Sequence, residues 1–144
     1  MYRTLLWATD GSDESELALK EGLTLLEPGG RMIAFHCDQR FVGGRAGGEP
    51  VLVDESDRRT RIRERVAEIA ATGLDVELVI ETTHRSPAHE IVHTAEEHYA
   101  DAIVCGTRGL GGIQGTLLGS VARELLHHAH VPVIVVRAGA KVTA

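Results

Sequence analysis

The chain has 144 residues, enough for one domain with a sizeable buried core, and its 43% hydrophobic and 25% charged content is that of an ordinary globular protein. A net charge of −6 opposes a nucleic-acid backbone as the main partner, and an aromatic content of 3% removes the stacking platforms that single-strand binders use. No apolar run approaches the roughly 18 residues of a membrane span and no signal-peptide pattern opens the chain, so no membrane association and a cytoplasmic location are expected.

In chain order, Arg3 to Thr9 (RTLLWAT) reads as a short buried strand, and Asp10-Gly11-Ser12 as the turn that ends it. Ser12 is the expected N-cap of a helix running to about Glu27, with Asp13, Glu14 and Glu16 in its first turn and Ala18, Leu19, Gly22, Leu25 and Leu26 facing inward. Pro28-Gly29-Gly30 is expected to stop it. Arg31 to Cys37 reads as a second strand, and 38–53 as a mobile loop without periodicity.

Asp54 to Ala71 reads as a helix that buries Ile62, Val66, Ile69 and Ala70. Its five arginines interleave with five carboxylates, which is the pattern of a solvated, salt-bridged face rather than a nucleic-acid patch. A third strand follows over Asp75 to Thr82, then a helix capped by Ser86 and started by Pro87, with Ala88, Ile91, Val92, Ala95 and Tyr99 as its buried stripe. Strand four is expected over Asp101 to Gly106, a last helix over Gly119 to His128, and strand five over Val131 to Arg137.

Apolar strands alternating with amphipathic helices imply an α/β fold, a doubly wound parallel sheet covered on both faces, as a single domain over 1–144. In such sheets ligands bind beyond the carboxyl ends of the strands, where strand order reverses. Asp10, Cys37 and the 106–112 loop each follow such an end. The loop is rich in glycine and leads into a helix N-terminus, an arrangement that offers bare backbone N–H groups to an anion. A mobile surface loop is the bland alternative.

Two nucleotide motifs are absent. No Gly-Lys pair exists for a P-loop, and the first strand leads into Thr9-Asp10-Gly11-Ser12 rather than G-x-G-x-x-G. What remains is Gly106-x2-Gly109-x9-Gly119-Ser120, and this spacing resembles the ATP-binding branch of the universal stress protein family. The resemblance covers essentially the whole chain: TDGS after strand one, ADAIVCGTRG through strand four, and LLGSVARELLHHAHVPVIVV at the end.

It implies a five-stranded parallel sheet in the order 3-2-1-4-5, and it implies ATP with Mg2+ held through the phosphates. Gly106 and Gly109 would let the backbone pass close to ribose and phosphates, with Thr107 and Arg108 between them. Gly119, Ser120 and Val121 would offer N–H groups to the terminal phosphates. Ala8 and Asp10 would line the adenosine side, and Cys37 would meet adenine through its main chain. Thr107 stands where the family often has Ser, and Cys37 where it often has Val. A homodimer through strand 131–137 is also implied.

No general base or catalytic constellation stands out, so a nucleotide-dependent regulatory protein is expected rather than an enzyme. A nucleotide-independent adaptor of the same fold, a slow ATPase, or binding of AMP or a cyclic nucleotide remain open alternatives. His89 and His93 have a zinc-compatible spacing, but no further ligand completes a set, so surface histidines are expected. In the 3-2-1-4-5 order strands two and four flank strand one, about 9–10 Å apart, beyond disulfide reach for Cys37 and Cys105.

Overall fold

A computed structural model describes residues 1–39, 55–83, 85–107 and 118–137. The expected loop 38–53 therefore falls mostly outside the described residues. Its first two positions belong to a strand, however, and Asp38 is buried there.

Five strands, β1 (Tyr2–Ala8), β2 (Leu26–Gln39), β3 (Asp75–Thr83), β4 (Ala102–Gly106) and β5 (Val133–Val136), form one sheet. Their order is β3-β2-β1-β4-β5, and every pairing is parallel. Strand order reverses between β1 and β4, as expected. The connecting helices are α1 (Asp13–Leu25), α2 (Glu55–Ala71), α3 (Pro87–Glu97) and α4 (Ser120–His128).

Period-two alternation along the central strands separates two cores. Leu5, Trp7, Met32, Ala34 and Val104 point to α1 and α2, while Leu6, Ile33, Phe35, Ile103 and Cys105 point to α3 and α4. Burial among these side chains pushes the Cys105 thiol up to about 11. Neither Cys37 nor Cys105 is in a disulfide. The single Trp is 1% exposed and donates its indole N–H to the Ser15 carbonyl at 2.8 Å, which ties β1 to the first turn of α1.

Several local expectations are corrected. Pro28-Gly29-Gly30 does not separate helix from strand; α1 ends at Leu25 and β2 already begins at Leu26. The pairing jumps from Tyr2↔Leu26 to Thr4↔Arg31, so the Pro-Gly-Gly segment is absorbed as a bulge with Gly29 at φ +78. Ala70 is exposed.

Tyr99 is 87% exposed instead of buried. The helix closes with N–H bonds from Tyr99 to Glu96 and from Ala100 to Ala95, a Schellman ending that puts Tyr99 at φ 53 and turns it outward. Ala100 takes the buried place. Ser86 sits at the N-cap of α3, but its hydroxyl donates to Glu124 of α4 and not to the helix it precedes. Strand five is shorter than expected, four residues against seven.

Gly22 shows how closely α1 lies on the sheet. A Cβ there would stand 2.9 Å from Leu5 Cδ2 and 3.1 Å from Val104 Cγ1, both fully buried. Gly22→Ala would gain about 1 kcal/mol of helix propensity, but the overpacking of a closed core costs about 1–3 kcal/mol and is expected to prevail. The variant should unfold at a lower urea concentration than wild type; a higher midpoint would show that α1 can shift without cost.

Candidate functional site

The carboxyl edge of the sheet is assembled from three strand ends and two helix starts. β1 ends at Ala8 and runs through Thr9 and Asp10 into Gly11, whose φ is +79. Asp10 Oδ1 accepts the Ser12 N–H at 2.9 Å, and Ser12 Oγ accepts the Ser15 N–H at 3.2 Å as the N-cap of α1. With Asp13, Glu14 and Glu16 in its first turn, α1 answers its own positive end with carboxylates and offers little to an external anion.

The start of α4 is built differently. Its N-cap is Gly119, which supplies no side chain, and its first turn carries no acid. Among the described residues no side chain caps the N–H groups at Ser120 and Val121, which are the donor set an anion requires. Arg123 adds a cation, its guanidinium donating to the Leu118 carbonyl at 3.3 Å. A cation at a helix N-terminus opposes the macrodipole by about 0.3–1 kcal/mol, a conflict that an anion there removes. Sequence reasoning missed Arg123, although its place four residues after Gly119 puts it one turn from the helix start.

The glycine-rich segment between β4 and α4 is closed at its base. The Gly119 N–H meets the Thr107 carbonyl at 2.5 Å, and the Thr107 N–H meets the Val136 carbonyl at 3.1 Å. Thr107 is buried, with its hydroxyl 3.4 Å from Glu14 Oε2. Arg108 and Gly109 lie outside the described residues.

Gly106 lies against the first turn of α1. A Cβ there would come 3.1 Å from Glu14 Cβ and 3.2 Å from its carbonyl carbon and oxygen. Packing against Glu14 thus favours glycine at this position, whatever the ligand.

The end of β2 holds Cys37, half-buried with its side chain toward α3 and α4. On either side of it, on the opposite face, are His36 and Asp38, only 1% and 2% exposed. His36 Nδ1 lies 2.9 Å from the Thr9 carbonyl oxygen, and because that oxygen can only accept, Nδ1 carries the proton. Nε2 lies 3.0 Å from Asp38 Oδ1, and Asp38 Oδ2 accepts from Arg59 of α2. Neither His36 nor Asp38 was singled out from sequence. The signal was an i, i+2 polar pair in an otherwise apolar strand, which places both on one face.

Of the expected site residues, Ala8, Asp10, Cys37, Gly106, Thr107, Gly119, Ser120 and Val121 all fall on this edge or at the start of α4. Direct contacts join Thr107 to Gly119, and Gly106 and Thr107 to Glu14. An open cleft of ≈ 200 Å³ lies to one side, between α1 and α2, and includes Thr9, Gly11, Ser12, Arg61 and Arg65 in its lining but not Gly106 or Ser120. Its wall is stiffened by Arg65, whose pairing with Glu16 and Glu68 raises its already high pKa.

The histidines of α3 and the chain beyond α4 are surface groups, His93 beside Glu97 and His130 beside Glu96. Among the described residues no cluster of three or more metal-binding side chains occurs, and no helix is long and apolar enough to cross a membrane.

Gly106→Ala is expected to destabilise the protein by about 1 kcal/mol with no nucleotide present, because Glu14 and the α1 backbone must yield. Chemical denaturation of the ligand-free protein checks this, and an unchanged midpoint would return Gly106 to a purely ligand-driven role.

The sequence profile of the universal stress protein family matches residues 1–137. The chain is 34% identical over 142 residues to universal stress protein MJ0531 of Methanocaldococcus jannaschii, covering 95% of this chain and 83% of that protein. It is also 34% identical over 140 residues to a universal stress protein of Thermus aquaticus, covering 95% and 100%. Among solved structures, hypothetical protein MJ0577 superposes with a TM-score of 0.78 at 26% identity, over 95% of this chain and 96% of that one. A universal stress protein in complex with cAMP gives 0.66 at 27% identity, over 94% and 97%. The universal stress protein from Archaeoglobus fulgidus in complex with dAMP gives 0.59 at 26%, over 94% and 97%. Fold, strand order and sequence agree, and the chain belongs to the universal stress protein family.

Proposed function

We propose that this chain binds ATP at the carboxyl edge of the sheet, between the ends of β1, β2 and β4 and the start of α4, and works as a nucleotide-dependent regulatory protein. The observation that carries this reading is the contrast between the two helix starts. That of α1 is filled by Ser12 and three carboxylates, while that of α4 has a glycine cap, no acid and Arg123 beside it. Phosphates belong at α4 on electrostatic grounds. The complexes of related proteins with cAMP and dAMP support adenine nucleotides as the ligand class.

In this reading Gly119, Ser120 and Val121 receive the terminal phosphates, Gly106 through Gly109 pass along the ribose and phosphates, and Arg108 adds charge. Asp10 and Ala8 face the ribose and adenosine side, and the Cys37 main chain meets adenine. Mg2+ enters through the phosphates. Asp10 already directs one oxygen to the Ser12 N–H and Glu14 approaches Thr107, so a self-sufficient protein cage for a cation does not fit the donor set present.

Hydrolysis is not the expected role. The chain has only two lysines, Lys20 and Lys141, and Lys20 is exposed on α1. The sequence has no Gly-Lys pair of the P-loop kind. Homodimerisation through β5 follows the same family logic. All four residues of this edge strand are half-buried valine or isoleucine, and a second copy would satisfy the open edge.

Calorimetric titration with ATP and ADP, with and without magnesium, tests the reading, followed by nucleotide analysis of the mixture. Saturable ATP binding strengthened by magnesium, without turnover, is expected. No binding at millimolar ATP would favour a nucleotide-independent adaptor, and rapid formation of ADP would favour an enzyme. Arg108→Ala should weaken ATP more than adenosine; equal losses would remove Arg108 from the phosphates.

A further inference from the structure

The buried polar chain at the end of β2 has no role in the reading above. Thr9, His36, Asp38 and Arg59 form a line of close polar contacts from the main chain of β1, through two side chains that are 1% and 2% exposed and stand 3.0 Å apart, to a helix on the sheet face. Placing a histidine and a carboxylate together in an apolar core is costly unless each is paired, and removing one partner leaves the other uncompensated. Simple docking of α2 on the sheet is already served by Ile62, Val66 and Ile69.

The location of the chain is specific. Thr9 stands between Ala8 and Asp10, and Cys37 stands between His36 and Asp38, so the line crosses the two backbone segments assigned to the adenosine half of the ligand. The Thr9 N–H also bonds to the Phe35 carbonyl at 2.8 Å, so the ends of β1 and β2 are joined by main chain and side chain together. α2 also reaches the turn directly: a Cβ built at Gly11 would lie 3.5 Å from Arg58 Cγ and 3.7 Å from Ile62 Cγ1.

We infer that His36, Asp38 and Arg59 are positioning residues for nucleotide binding, a buried relay that sets the adenosine-facing main chain of β1 and β2 and couples it to α2. The inference rests on the nucleotide-binding reading proposed above. Arg59 holds Asp38, the Asp38 carboxylate packs 3.0 Å from His36 Nε2 as a close polar contact, and His36 Nδ1 meets the Thr9 carbonyl and with it the path into Asp10. None of the three needs to touch the ligand. Their loss therefore acts on the adenosine half and not on the phosphates.

Calorimetry with ATP and with adenosine, on wild type, Arg59→Ala, Arg59→Lys and the exposed neighbour Arg63→Ala, tests this. Arg59→Ala should weaken ATP and adenosine alike by about tenfold, Arg59→Lys should restore most of the loss, and Arg63→Ala should change neither. The double variant His36→Gln with Arg59→Ala should lose little more than either single variant, as members of one line do. Circular dichroism and urea midpoints establish that each variant is folded; if Arg59→Ala is not, His36→Gln and Arg59→Lys carry the comparison. Arg59→Ala binding within about twofold of wild type overturns the relay while leaving nucleotide binding intact, as does a loss confined to ATP. A wild-type protein that binds neither ligand overturns both.

Discussion

Strand order reverses once in this sheet, between β1 and β4, and the site depends on that reversal. A parallel sheet must be covered on both faces, so the chain leaving β1 turns to one face through α1 and the chain leaving β4 turns to the other through α4. Two helix starts therefore flank one crevice, each with a positive dipole end. They are not equivalent. Ser12, Asp13, Glu14 and Glu16 answer the first internally, whereas Gly119 leaves the second without a side-chain cap. The crevice thus has one internally satisfied wall and one that can receive negative charge from outside.

The glycines of the motif answer to packing as well as to ligand approach. Gly106 lies against Glu14, so the end of β4 and the start of α1 approach closely enough that an added Cβ would press on Glu14. The same contact leaves the buried Thr107 hydroxyl beside Glu14 and places the Thr107 carbonyl where Gly119 donates to it. A spacing that reads as a nucleotide signature is also the way this fold closes the base of its loop.

Much of this was legible in the residues. The five strands are apolar runs long enough to cross a buried sheet, and the capping signal at Ser12 marks the start of α1 where it occurs. Other features depend on contacts distant in sequence. Tyr99 fits the apolar stripe of α3 by period, but the helix closes before reaching it, and a Schellman ending turns it to solvent. Ser86 has the chemistry of a cap, yet Glu124, 38 residues on, takes its hydroxyl. Pro28-Gly29-Gly30 reads as a stop, but β2 absorbs it as a bulge opposite β1.

At the candidate site, the glycine spacing was readable in the sequence, and Asp10 and Cys37 were placed on the same edge because each follows a strand end. His36 and Asp38 were not, because their partners are Thr9 on another strand and Arg59 on another helix. The arginines of α2 read as a solvated face, and Arg65 does pair with Glu68 of the same helix. It also reaches Glu16 of α1, and Arg59 reaches into the core. Local charge alternation does not reveal such long-range pairing.

Backbone amide chemical shifts recorded with increasing MgATP test the central claim most directly, since they report on the main-chain groups that the site uses. The account predicts that shifts concentrate at Asp10, Cys37, Gly106, Thr107 and Gly119 to Val121, with the far ends of the strands, at Tyr2, Asp75 and Val133, unmoved. Shifts centred on the α1–α2 cleft at Arg61 and Arg65, or none at saturating nucleotide, would contradict it.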